Sequence, residues 1–116
     1  MGVRRVVPNF RSGSVEVSRE FYGLLGLEEV MNHGWIVTVA SPSVPSAQVS
    51  FYAGDDRTAP VPPDVSVEVD DVDAVYVAVR ESGAEIVYPL QDEEWGVRRF
   101  FVRDPDGRVI NVLSHR

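Results

Sequence analysis

The chain has 116 residues, 18 acidic against 11 basic side chains for a formal net charge of −7, and no cysteine. That length suits one domain with a real core, and the missing cysteines exclude disulfides, thiolate nucleophiles and Cys-based metal sites. The acidic balance argues against a nucleic-acid partner and mildly favours a neutral or cationic one, while the lack of any membrane-length apolar run or signal-peptide core predicts a cytoplasmic protein without a membrane partner.

In chain order, Val3 to Asn9 reads as a strand. Ser14 then reads as the N-cap of a helix ending near Gly26, which suits a left-handed C-terminal cap. Val17, Phe21, Leu24 and Leu25 lie on one side of this helix, and Phe21 and Tyr22 are expected in the core. Three strands follow, at about Glu29 to His33, Trp35 to Ala40 and Ala47 to Ala53. Residues 55–63, rich in proline and polar side chains, read as a semi-rigid linker between a first module of about 1–54 and a second of about 64–116. Asp64 to Asp70 alternates cleanly as a strand, with Val65, Val67 and Val69 on one face and Asp64, Ser66 and Glu68 on the other. A helix from Asp71 to Ser82 ends at Gly83, and Ile86 to Leu90 is the next strand. Trp95 to Leu113 then reads as two strands joined by Asp104-Pro105-Asp106-Gly107, a strong turn sequence. Alternation puts Phe100, Val102, Ile110 and Val112 on the core face and Arg99, Phe101 and Asn111 on the other.

The second half repeats the first. At an offset of 57 residues, Ser14 matches Asp71, Gly26 matches Gly83, Glu28 matches Glu85 and Val30 matches Val87. Helix starts, helix stops and following strands coincide, which predicts a duplicated β-α-β-β-β module in an α+β fold.

With SREFYGLLGLE at Ser18 to Glu28, VEVDDVDAVYVAVRESGAEI at Val67 to Ile86 and WGVRRFFVRDPDGRVINVL at Trp95 to Leu113, the chain resembles the vicinal oxygen chelate superfamily of glyoxalases, bleomycin-resistance proteins and extradiol dioxygenases. The resemblance implies a curved mixed sheet around a cleft and, for a single domain of this length, a homodimer; the cleft is expected to be absent or incomplete in a monomer. It also implies a divalent metal held from the first and last strands of each module. Here those positions fall on Val7, Ser50, Asp64 and Asn111. Valine has no donor atom, and serine and asparagine are weak ligands for a hard ion, so no metal cofactor is expected. His33 and His115 have no metal-ligand spacing.

The remaining candidates contact ligand rather than react. Asp64, Ser66 and Glu68 are either a solvated strand face or an acidic cleft wall that attracts a cation. Trp35 and Trp95 sit beside glycines at strand starts and are either ordinary core or flat walls for a planar ligand. Phe101 lies on the non-core face and should line a pocket or a dimer contact. Arg99 either binds an anion or pairs with Asp64 or Glu68. The expected site is therefore Trp35, Ser50, Asp64, Ser66, Glu68, Trp95, Arg99, Phe101 and Asn111, with no catalytic residue. The function this predicts is metal-free binding of a small molecule, in the manner of a bleomycin-resistance protein that sequesters a drug or metabolite. A metal-dependent lyase, isomerase or dioxygenase is the alternative, and an interaction module is the third reading.

Overall fold

The computed structural model describes residues 2–54 and 59–116. The expected linker therefore lies partly outside the described residues. Among the described residues the elements are β1 (Val3–Arg11), α1 (Val15–Gly23), β2 (Glu28–Asn32), β3 (Ile36–Ala40), β4 (Gln48–Tyr52), β5 (Val65–Val69), α2 (Val72–Glu81), β6 (Ile86–Asp92), β7 (Val97–Arg103) and β8 (Val109–His115). The fold is α+β, with two β-α-β-β-β modules joined in one eight-stranded mixed sheet of order β2-β3-β4-β1-β5-β8-β7-β6.

The 57-residue offset is written into the hydrogen bonds. Ser14 Oγ accepts from the Val17 backbone N–H, and Asp71 Oδ1 accepts from that of Ala74, its equivalent. Each cap satisfies one of the donors that a helix leaves without an intrahelical partner. Gly26 and Gly83 both take the left-handed conformation, at φ 103° and 83°. At the centre β1 runs antiparallel to β5 with Val7 opposite Ser66, and, two residues on, the Asn9 backbone N–H donates to the Asp64 carbonyl. The offset converts one rung into the other, so the modules meet about a pseudo-twofold axis.

The two helices cover one face of the sheet. Val72, Val75 and Tyr76 of α2 pack on Val69, Phe100, Val102 and Val112. Phe100 is completely buried, worth roughly 1.5–3 kcal/mol for a side chain of that size. Val15 and Tyr22 of α1 pack on Val37, Val39 and Phe51, with the Tyr22 and Phe51 rings 4.6 Å apart. The stripe of Val17, Phe21, Leu24 and Leu25 instead faces outward and is exposed. The expectation that Phe21 belongs to the core is thus wrong. Val15, Tyr22 and the following Leu27 fill the space over the sheet, and that turns the stripe away from it.

The closing hairpin forms as the turn residues dictate. Asp104 Oδ1 accepts from the backbone of Asp106 and of Arg108, each at 2.9 Å, and Gly107 sits at φ 88°. β8 runs two residues past Leu113, which carries His115 onto the sheet. No described helix is long and apolar enough to cross a membrane.

Candidate functional site

Side chains of the opposite parity to the core point away from the helices and line a cleft of about 540 Å³. Both modules contribute. Arg5, Val7 and Asn9 come from β1, Thr38 from β3, Ser50 from β4, Ser66 from β5, Arg99 from β7, and Asn111 and His115 from β8. A single chain therefore draws this cleft from both of its modules. The reason is the β1–β5 ladder, which joins the modules within one chain.

The cleft floor is a small polar network on the pseudo-twofold. Ser66 Oγ accepts from Asn9 Nδ2 at 3.0 Å and from Asn111 Nδ2 at 3.1 Å. Beside it the hydroxyls of Thr38 and Ser50 share a hydrogen bond of 2.7 Å, with both residues buried. Asn111 is 8% exposed and its Oδ1 makes no hydrogen bond. A buried acceptor in that state carries a desolvation cost that only a donor can relieve.

Two ion pairs flank the floor, each with its arginine in the cleft lining and its carboxylate outside it. At one end Arg5 Nε donates to Glu68 Oε1 at 2.7 Å and Arg5 Nη1 to Gln48 Oε1 at 2.6 Å, while His115 Nδ1 lies 2.8 Å from Glu68 Oε2. Burial pushes the Glu68 carboxyl up, but the hydrogen bonds to His115 and Arg5 outweigh it and hold the group below its ordinary value. At the other end Arg99 and Glu93 are both buried, with Arg99 Nη2 3.5 Å from Glu93 Oε2. The Arg99 guanidinium stands over the rings of Trp95, Phe101 and Tyr88 at 5.0, 5.0 and 5.4 Å. Tyr88 Oη donates to Glu93 Oε1 at 2.7 Å. Burial, and then the neighbouring Glu93 carboxylate, raise the Tyr88 hydroxyl above its usual range, so it stays the proton donor.

Trp35 and Trp95 stand at the mouth. One precedes β3 beside Gly34 and the other precedes β7 beside Gly96, both glycines at positive φ, so the tryptophans occupy corresponding turns of the two modules. They are 39% and 53% exposed, and both line the cleft.

Of the nine expected site residues, Trp35, Ser50, Ser66, Trp95, Arg99 and Asn111 line this cleft, and three do not. Asp64 is corrected to a structural role: its carboxylate accepts from the Val109 backbone N–H at 2.8 Å and ties β5 to β8. Glu68 is outside the lining, drawn off by Arg5 and His115. Phe101 is fully buried beneath Arg99 and against Tyr88, so it supports the wall instead of forming it. Arg99 pairs with the buried Glu93. The acidic cleft is also corrected: no aspartate or glutamate among the described residues lines it. Sequence reasoning missed Arg5 and Asn9, although alternation around Val7 and the 57-residue match of Asn9 to Ser66 both pointed to them. It also set aside His33 and His115, which lack metal-ligand spacing yet line the cleft.

The four positions implied for a metal do not suit one. Val7 offers no donor atom, the Ser50 hydroxyl is engaged by Thr38, and the Asp64 carboxylate is engaged by the Val109 backbone. Asn111 alone remains, a neutral amide. Among the described residues no three His, Asp or Glu side chains stand together as a metal site.

The family model for the Glyoxalase/Bleomycin resistance protein/Dioxygenase superfamily matches residues 6–112. None of the curated proteins matches the chain. Among solved structures, a glyoxalase/bleomycin resistance protein/dioxygenase superfamily member from Vibrio splendidus 12B01 is 21% identical, with 97% of this chain and 99% of that one covered and a TM-score of 0.72. A structure described as an NAD-dependent benzaldehyde dehydrogenase from Legionella pneumophila is 17% identical, with 96% and 99% covered and a TM-score of 0.72. Methylmalonyl-CoA epimerase from Mycobacterium tuberculosis is 21% identical, with 99% and 88% covered and a TM-score of 0.68. At these identities the likeness carries the fold and leaves the chemistry to the residues of the cleft.

Proposed function

Because this chain belongs to the glyoxalase/bleomycin resistance protein/dioxygenase superfamily, we propose that its cleft is a metal-free binding site for a planar small molecule, which the protein sequesters without converting it. The observation that carries this reading is the pair of half-exposed tryptophans, Trp35 and Trp95, at corresponding turns on the lining of one cleft. Exposed tryptophan is unfavourable in water, and a flat ligand covering both indoles buries apolar area on each side of itself. The polar floor then orients the ligand.

Sequestration needs only affinity, and affinity here comes from burial with a few placed polar groups. The engaged side chains at the metal positions favour this reading over metal-assisted catalysis. The homodimer implied by the resemblance is part of the proposal only as an assembly of two such clefts.

A thermal-shift screen of planar aromatic compounds, run with and without a chelator, tests the reading. Binding to the native state raises the melting temperature. The expected result is a concentration-dependent rise that the chelator leaves unchanged. A rise that vanishes with chelator and returns with a divalent metal would transfer the cleft to the enzyme reading.

A further inference from the structure

We infer that the ligand is a planar acid bearing a hydrogen-bond donor, its anionic group set toward Arg99 and Arg5 and its donor on Asn111 Oδ1. This rests on the reading of the cleft as a site for a planar molecule. The overall charge of −7 points toward a cation, but the cleft points the other way. In the Arg99–Glu93 pair and in the Arg5–Glu68 pair, the arginine lines the cleft and the carboxylate does not. Each pair is thus a dipole with its positive end toward the ligand, and the local field is set by these nearby groups more than by distant surface charge.

Asn111 supplies the second half of the inference. Its Nδ2 donates to Ser66, and its buried Oδ1 makes no hydrogen bond, so a ligand that seats a donor there satisfies it. The residue is more than nine-tenths buried and lines the cleft. An acceptor placed so discriminates by the donor it lacks: a ligand with an O–H or N–H satisfies it, and one without leaves it orphaned. Phe101 is opposite Asn111 and Arg99 is opposite Leu113 in the β7–β8 ladder. Arg99 and Asn111 are therefore diagonal neighbours on one face, which puts their Cα atoms roughly 7–8 Å apart. One aromatic acid can engage both.

The test is calorimetric titration of the wild-type protein with four naphthalenes: 6-hydroxy-2-naphthoate, its 6-methoxy ether, uncharged 2-naphthol and cationic 2-naphthylmethylammonium. The hydroxy acid is expected to bind about tenfold more tightly than the ether, and more tightly than the cation by at least that factor. In Asn111→Leu the preference for hydroxyl over methoxyl should vanish while the preference for acid over cation remains. Asn111→Asp, which keeps an acceptor but adds a negative charge, should keep the hydroxyl preference and weaken both acids. These are ratios within one variant, so a loss of stability does not mimic them. A cation that binds as tightly as the acid would overturn the charge assignment. Equal binding of hydroxy and methoxy acids by the wild type, or a preference that survives in Asn111→Leu, would overturn the role of Asn111. Tight binding of 2-naphthol with no gain for the acid would leave the planar-ligand reading standing and sink the inference. Binding of none of the four would overturn both.

Discussion

Asn9 and Ser66 are each other's equivalents in the repeat, and their side chains meet at 3.0 Å on the cleft floor, where Asn9 Nδ2 donates to Ser66 Oγ. Duplication has thus brought two copies of one position into contact. Ser66 also accepts from Asn111, so one hydroxyl holds two amides. Ser66→Ala should orphan both donors and cost about 1–3 kcal/mol. Urea denaturation checks this: the midpoint should fall with the slope unchanged. A midpoint equal to the wild type would mean that water replaces the hydroxyl without cost.

The Arg99–Glu93 pair is buried among aromatic rings, so breaking it and deleting it should differ. Glu93→Leu should cost about 3–5 kcal/mol, because the guanidinium loses that carboxylate in a poorly solvated place. Arg99→Met should cost a similar amount. The double variant should be more stable than the sum of the two losses predicts, by about 2 kcal/mol or more. A double-mutant cycle by denaturation measures the coupling. Additive losses would show that the two side chains act independently.

Glu68 gives stability a defined pH dependence. Its folded carboxyl titrates below the ordinary 4.5, with burial opposing the shift and His115 and Arg5 producing it. A depressed acid contributes stability that is full above its unfolded value and is lost as pH falls through the folded one. Acid unfolding followed between about pH 6 and pH 3 should therefore be shallower in Glu68→Gln than in the wild type. Parallel curves would remove Glu68 from the account.

Two glycines should respond with opposite signs. Gly83 holds φ 83° at the end of α2, where a side chain is strained, so Gly83→Ala should destabilise by about 1 kcal/mol. Gly23 ends α1 without positive φ, and an added Cβ there meets nothing within 4 Å. Gly23→Ala should stabilise by about 0.4–1 kcal/mol through the unfolded chain. Melting temperatures decide between the signs.

Much of the fold was legible because local and repeated signals agree. The caps Ser14 and Asp71, the glycines at 26 and 83, and the valine alternation of β5 all report backbone geometry, which sequence encodes locally. The site was legible only in part. Parity put Arg99, Asn111 and Ser66 on the right face, but parity says nothing of partners. Asp64 and Glu68 share that face and were still diverted, one to the Val109 backbone and the other to Arg5 and His115. Net charge describes the whole surface and not the cleft, since a carboxylate behind an arginine counts equally in the sum without lining the cleft. The exposed stripe of α1 was misread for a related reason: periodicity finds an apolar face but not the element it packs against.

The central claim is that Trp35 and Trp95 hold a planar ligand without a metal. It is tested most directly by calorimetry of 6-hydroxy-2-naphthoate binding, in chelator throughout, to the wild type and to Trp35→Ala/Trp95→Ala. The account predicts binding to the wild type in chelator and a loss of about tenfold or more in the double variant, since each stacked ring contributes on the order of 1 kcal/mol. Binding that is unchanged in the double variant, or that appears only when a divalent metal is restored, would contradict it.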